Sequence, residues 1–356
     1  MTTQPGVLER VGVRALERRA QTFLNAHATT ADPVHLLNDN ERAALRRIER
    51  AGIARSGLAG ALSSAVAATA EILVNEHQDT RPLLFWGVVG SVAGAAALIE
   101  IAFVSWDALR TVHAMSAVAG VYGDERSSVV LTSLARAALE VPNPRTSALG
   151  VDPLKESRRA FLVVAAIVYK LKVSASNVIF KLVVRRALGR ALVRSWLPLV
   201  AVPVTAAWNA AVTAVVLREA RIRIFGPSLV RDVVDRLAPA LTSPLGSEAI
   251  LRAVASCIVR SADLHPNLEL LLAGFIDKLA IAMPVNVESS RLFLAMLPQL
   301  TDSERALVLR TLRAAAVIDG RVARRERALL KEADAWTSDV EAERGRVLAG
   351  ERLLLT

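Results

Sequence analysis

Apolar residues return at helical spacing along most of the chain, and the places where that spacing gives way to unbroken apolar runs divide it. Residues 7–28 set Val7, Leu8, Val11, Leu16, Phe23 and Leu24 among arginines and glutamates, the pattern of an amphipathic helix. A turn-like ATTADP follows, and NDNERAALRRIERAGIARSG then predicts a helix capped by Asp39 or Asn40, with Arg42, Arg46, Arg47 and Arg50 on its exposed face. Two apolar segments, Gly57 to Asn75 and Pro82 to Trp106, are joined by the polar EHQDTR and predict an antiparallel helical hairpin. Residues 124–157 read as a short helix and a loop. The stretch from Ser157 to Leu192 is apolar and basic; its valine runs suit either helix or strand, and its Lys170, Lys172, Lys181, Arg185 and Arg186 are available to the hairpin carboxylates.

From Trp196 to Leu217 no residue is charged. Pro198 and Pro203 each lack a helical N–H, so the pattern predicts a helix starting near Val204. The 14 uncharged residues then left before Arg218 reach only about 21 Å, against a bilayer core of about 30 Å. The expectation is a buried helix too short to span. Thr205, Asn209 and Thr213 form a polar stripe on it, beside a small-residue face of Ala207, Ala210, Ala211 and Ala214. After Gly226 and Pro227 the pattern becomes ordinary amphipathic helices, expected over 228–237, 247–260, 268–281, 288–297, 303–317 and 323–335. The predicted architecture is all-α: basic N-terminal helices over 1–55, a hydrophobic helical bundle over 56–226 and a smaller helical domain over 227–356.

Composition sharpens this. Hydrophobic residues make up 53% of the 356, and a mean hydropathy of +0.38 is high for a chain wholly in water. The net charge of +10 calls for a polyanion. No zinc-ligand spacing, helix-turn-helix pattern or aromatic-interleaved basic strand accompanies it, so an anionic membrane surface is favoured over nucleic acid. Arg42, Arg46, Arg47 and Arg50 are the expected contact, the alternative being a solvated face laced with Glu41 and Glu49. The lone cysteine, Cys257, rules out an intramolecular disulfide and suits a reducing cytosol, and the charged N-terminus lacks the apolar core of a secretion signal.

Carboxylates inside apolar surroundings need a partner or a raised pKa, which marks Glu71, Glu100 and Asp107 as candidates together with Asn209. The alternative is that each carboxylate faces solvent or an arginine such as Arg110. The hairpin is also the best candidate for membrane insertion, because Arg42 to Arg55 and Arg110 would share one side and only the turn the other.

The segment ending in Val121, Tyr122 and Gly123, with Glu100 upstream and Pro198 and Asn209 in the later apolar helix, resembles the EcsC-like family over about residues 55–226. The resemblance implies a hydrophobic, membrane-associated cytosolic protein and supplies no reaction. The segment TDSERALVLRTLRAAAVIDGRVARRERALLKEA, with Asp319, Gly320, Val322 and Glu326, resembles the TerB-like domain, a small helical module associated with tellurite resistance. Asp263 and Glu269 stand in what reads as a degenerate copy of its turn. A helix-ending Asp-Gly turn explains the motif structurally, while a divalent metal would draw on Asp319, Glu326, Asp263 and Glu269.

No nucleophile elbow, P-loop or metalloprotease motif is present, which argues against an enzyme. The expected function is a non-enzymatic adaptor of envelope or metal-stress physiology, cytoplasmic and peripheral at the inner face of the membrane, with a protein partner on its TerB-like domain. Two alternatives stand beside it: an integral membrane protein with its hairpin at 57–106, and an enzyme acting on lipid through Glu71, Glu100 and Asn209.

Overall fold

The computed structural model describes residues 37–78, 80–120, 127–139, 141, 143, 149–155 and 197–355, together with Arg14. The remainder of the helix expected over 7–28, the basic segment 157–192, Tyr122 and Gly123 lie outside them. Every regular element among the described residues is helical, as the apolar spacing predicts: α1 (Asp39–Leu73), α2 (Pro82–Val118), α3 (Ser127–Ala138), α4 (Leu197–Leu237), α5 (Pro244–Ser261), α6 (Pro266–Leu279), α7 (Ser290–Met296), α8 (Asp302–Val317), α9 (Arg324–Glu332) and α10 (Asp339–Ala349).

The chain forms two compact units. The first comprises residues 1–45, 115–158 and 218–356, and the second 46–114 and 159–217. Both are discontinuous, and the boundaries expected at 55/56 and 226/227 fall inside α1 and α4. A shift in composition does not break a helix when glycine costs only about 1 kcal/mol relative to alanine.

Residue chemistry accounts for the helix ends. Asn38, rather than Asp39 or Asn40, caps α1: its Oδ1 accepts the Glu41 N–H at 2.9 Å and Glu41 Oε2 accepts the Asn38 N–H at 2.8 Å, a reciprocal capping box. The helix then runs through Gly57 to Leu73, so the basic and apolar segments are one element. α4 corrects the expectation of a start at Val204. It begins at Leu197, where Pro198 sits in the first turn and its missing N–H would have been unpaired anyway. Only Pro203 and Pro227 forfeit intrahelical bonds. The uncharged part of α4 therefore runs from Leu197 to Leu217, about 31 Å at about 1.5 Å per residue, long enough to cross a bilayer. α1, α2 and α4 are all long and apolar enough for that.

In the first unit the core is α5. Ser243 caps it by accepting the Gly246 N–H at 2.9 Å, and every residue from Ala249 to Val259 is buried. A helix apolar on all sides must be surrounded, and α6, α7, α8 and α9 pack against it. α10, absent from the expected elements, buries Val340 and Val347 and packs on α8.

The second unit is built the other way round. α2 has large side chains facing outward along its length, including Leu83, Trp86, Leu98, Ile99, Ile101, Phe103 and Trp106, and only 6% of its most apolar stretch is buried. Polar residues are inside instead: Glu100, Asp107 and Thr111 are each at most 5% exposed, although Ser91 and Arg110 face out.

Candidate functional site

The interior of the second unit is a polar seam between three helices. Its geometry starts from small residues on α1. Gly57 lies against the Ala206 carbonyl and Ala210, and a Cβ on Gly60 would stand 2.5 Å from Asn209 Nδ2, so the α1 and α4 backbones approach closely. The small-residue contact thus uses Ala206 and Ala210, while Ala207 and Ala211 are exposed.

The expected stripe of Thr205, Asn209 and Thr213 faces this contact. Thr213 Oγ1 donates to Ser56 Oγ at 2.6 Å, Ser56 Oγ lies 3.4 Å from the Asn209 carbonyl it donates to, and Thr205 Oγ1 donates to the Ala201 carbonyl at 2.8 Å with Ser64 Oγ at 3.5 Å. Asn209 Nδ2 donates to Glu100 Oε1 at 2.7 Å, which joins the two segments singled out in the sequence. Two turns along α2, Asp107 is 4% exposed and accepts from Arg55 Nε at 2.8 Å, while Arg55 Nη2 donates to Thr111 Oγ1 at 3.0 Å. Asp107 thus faces an arginine, but the arginine is Arg55 rather than Arg110.

Glu71 does not share the Asn209 contact. It lies 11 residues beyond Gly60 on α1, about 16 Å further along the axis. Of the basic candidates, Arg42 is half-buried, bonded to Asp39 at 2.7 Å with Glu351 at 4.0 Å, whereas Arg46, Arg47 and Arg50 are exposed.

In the first unit the Asp-Gly turn closes α8 as its chemistry requires. Gly320 takes φ +72°, the left-handed region that glycine enters without strain, and Asp319 Oδ1 accepts the Arg321 N–H at 2.8 Å. Glu326 Oε2 reaches back to the Ala323 N–H at 2.7 Å, while its Oε1 is buried with no hydrogen-bond partner among the described residues. Ala323 has no side-chain acceptor, so only the glutamate half of a capping box exists. Burial raises the Asp319 pKa to about 6. It raises that of Glu326 well above the usual carboxylate range, with the charge of Asp319 adding to the shift.

Beside the turn runs a buried ionic chain. Glu219 accepts from Arg223 Nη2 at 3.0 Å through Oε1 and from Arg321 Nη2 at 2.9 Å through Oε2, and His265 Nε2 stands 3.1 Å from Oε1. His265 Nδ1 accepts the Asn267 N–H at 3.2 Å, which leaves the ring proton on Nε2, directed at Glu219. Burial alone would raise the Glu219 pKa, but the His265 hydrogen bond and the charges of Arg223 and Arg321 outweigh it and hold the carboxylate ionised. Asn267 Nδ2 bonds the Ile222 and Ile318 carbonyls at 3.1 and 2.9 Å, tying α4 to the end of α8.

The four expected metal ligands are dispersed among these roles. Asp263 accepts from Asn143 Nδ2 at 3.0 Å, and Glu269 is half-buried beside Arg136. No group of three or more His, Cys, Asp or Glu residues arranged to hold a metal occurs among the described residues. Sequence reading passed over Arg55, Ser56 and Gly60, and also Glu219, His265 and Asn267. For the first group a signal existed in the spacing of Ser56, Gly60 and Ser64 at four residues, the complement of the stripe on α4. No family profile, curated protein or solved structure matches the chain.

Proposed function

We propose that the chain is an integral membrane protein in which α1, α2 and the first half of α4 cross the bilayer, and that it acts as a non-enzymatic, membrane-anchored adaptor through its α5-centred unit. The observation that carries this reading is the outward apolar surface of α2. Nine large side chains face out, and at about 1.5–3 kcal/mol for each fully buried one their partial exposure to water forgoes on the order of 10 kcal/mol. That equals the net stability of a typical domain, about 5–15 kcal/mol. In lipid the same surface is at no disadvantage.

The lengths support it. Trp86 and Trp106, both about half exposed, are 20 residues apart on α2, about 30 Å along the axis, the separation of the two interfacial belts where tryptophan collects. Polar groups in the seam are paired across helices and shielded, as hydrocarbon demands. Arg46, Arg47, Arg50 and Arg110 stand at one end of the hairpin against Arg81 alone at the turn, so by the excess of arginine the turn is outside and the helix ends are at the cytoplasmic face. This replaces peripheral attachment by insertion and keeps the anionic surface as partner of the exposed arginines. The lipid-acting enzyme is less well supported, because Glu71 stands apart from Glu100 and Asn209. Carbonate extraction of membranes containing the full chain tests the reading: the protein should stay in the pellet, and its release into the supernatant would reject insertion.

A further inference from the structure

Between α1 and α2, on the outward side of the polar seam, the second unit has an open groove of about 700 Å³. Its walls are apolar, with Leu58, Leu62 and Val66 from α1 facing Val92, Ala96 and Ile99 from α2. Two lining residues are charged: Arg55, held by Asp107 at one end, and Glu100 two turns away on α2, where it accepts from Asn209. Leu58, Leu62, Val66 and Ile99 are each half or more exposed, so the groove opens onto the same face as the outward apolar surface.

We propose that this groove binds one anionic phospholipid, its acyl chain lying along the α1/α2 walls and its phosphate at Arg55. The inference rests on the membrane-inserted reading and names the ligand of that surface. The volume lies within the roughly 300–1,000 Å³ of small-molecule sites, and apart from Ser63 and the Asn209-bonded Glu100 the walls offer dispersion contacts, which suit a flexible hydrocarbon. The charge pattern selects the headgroup. The side chain of Arg55 is 39% exposed, and its bonds to Asp107 and Thr111 use Nε and Nη2, so Nη1 remains to bond a phosphate oxygen. Arg46, Arg47 and Arg50 are exposed on the same helix one to two turns earlier, which concentrates anionic lipid at this end. Asp107 holds the Arg55 head in place, and Thr111 fixes its plane. A neutral zwitterionic lipid would fill the groove but place its own cation against Arg55.

The test uses the full chain reconstituted in nanodiscs of equal phosphatidylcholine and phosphatidylglycerol, extracted gently, with retained lipid measured by native mass spectrometry. The wild type is expected to keep one phosphatidylglycerol, favoured over phosphatidylcholine by about fivefold or more, the ratio one arginine near an anionic surface supplies. Ala96→Phe and, from the opposite wall, Ala59→Phe fill the groove and should each abolish retention. The double change Arg55→Gln with Asp107→Asn keeps a hydrogen-bonded pair without charge, and should retain lipid while losing the preference. Equal retention of the two lipids by the wild type would overturn the headgroup assignment. Retention undiminished in both groove-filling variants, each checked for helical content by circular dichroism, would overturn the groove. A wild type that retains no lipid while resisting carbonate would reject the site and leave insertion standing. Release by carbonate would reject insertion itself.

Discussion

In the unit centred on α5, Val254, Cys257, Phe275, Leu312 and Leu329 are inside, and most charges outside or tied into the Glu219 chain. In the unit of α1, α2 and α4 the order is inverted, with Ser56, Ser64, Glu100, Asp107, Thr205 and Thr213 inside and leucine, isoleucine and tryptophan outside. In the proposed reading one chain meets two solvents. Water drives apolar groups together, so the first unit can leave its surface polar and still be held by its core. Hydrocarbon provides no such drive, so if the second unit is inserted as proposed it relies on close backbone approach at Gly57 and Gly60 and on hydrogen bonds across helices. The same residue types are read with opposite sign in the two halves.

This contrast predicts a graded set of effects, largest where an aqueous core is disturbed. A Cβ at Gly226 would stand 1.9 Å from Asn267 Oδ1, inside the contact that ties α4 to α8. Gly226→Val must displace Asn267 and break both of its carbonyl bonds, and overpacking plus unsatisfied buried groups should cost about 4 kcal/mol. Thermal unfolding followed by tryptophan fluorescence, together with hydrogen exchange of α5, will show this, and an unchanged melting temperature would mean the Asn267 contact contributes little.

The next effect is pH dependence. The Asp319 pKa rises from the ordinary 3.8 to about 6, so the folded state binds that proton more tightly than the unfolded state. Its contribution is complete below about pH 4 and is lost as pH rises through about 6, a fall of about 3 kcal/mol at about 1.36 kcal/mol per unit. Glu326, also raised, extends the decline in the same direction. Glu219 is lowered, so its contribution is lost only as pH falls below its ordinary 4.5, outside most of that window. Asp319→Asn should flatten the stability profile between about pH 4 and 6 and leave the protein more stable at neutral pH. A wild-type melting temperature that rises across the interval would contradict the burial argument.

The smallest effect separates the solvents. In a water-surrounded core, Asn209→Leu would cost about 1–3 kcal/mol by removing the Asn209 donor to Glu100. Between membrane helices such bonds average about 0.6 kcal/mol, so the expected loss is about 1 kcal/mol or less. Glu100→Gln keeps an acceptor for Asn209 and should be close to neutral. Chemical unfolding in mild detergent measures both, and a loss near 3 kcal/mol for Asn209→Leu would place the seam in an aqueous-type core.

How far the sequence carried differs between the halves too. Apart from α10, the helices of the α5-centred unit are legible from apolar spacing, because most are amphipathic and show which side faces water. Glu100 and Asn209 were legible as a pair because polar groups in apolar runs are few. α4 misled because proline was judged by type rather than position: Pro198 lies in a first turn, where it disturbs nothing. Arg55 was hidden because an arginine at the end of a basic helix looks solvated, and nothing local says that Asp107 lies opposite. The Glu219, His265 and Asn267 chain joins positions about 50 residues apart through the fold, and no single-sequence pattern encodes that meeting.

Whether α1 and α2 cross a bilayer can be read from the two ends of the hairpin. Cys257 is the sole cysteine and is fully buried, so a new exposed thiol reports its own position with little background. Gln78→Cys, at the exposed turn, and Arg46→Cys, at the exposed basic end, should be probed in intact cells with a membrane-impermeant maleimide. The account predicts that Gln78→Cys is labelled in intact cells while Arg46→Cys is labelled only after lysis. Protection of both until lysis would contradict a spanning hairpin and return the protein to the inner surface of the membrane.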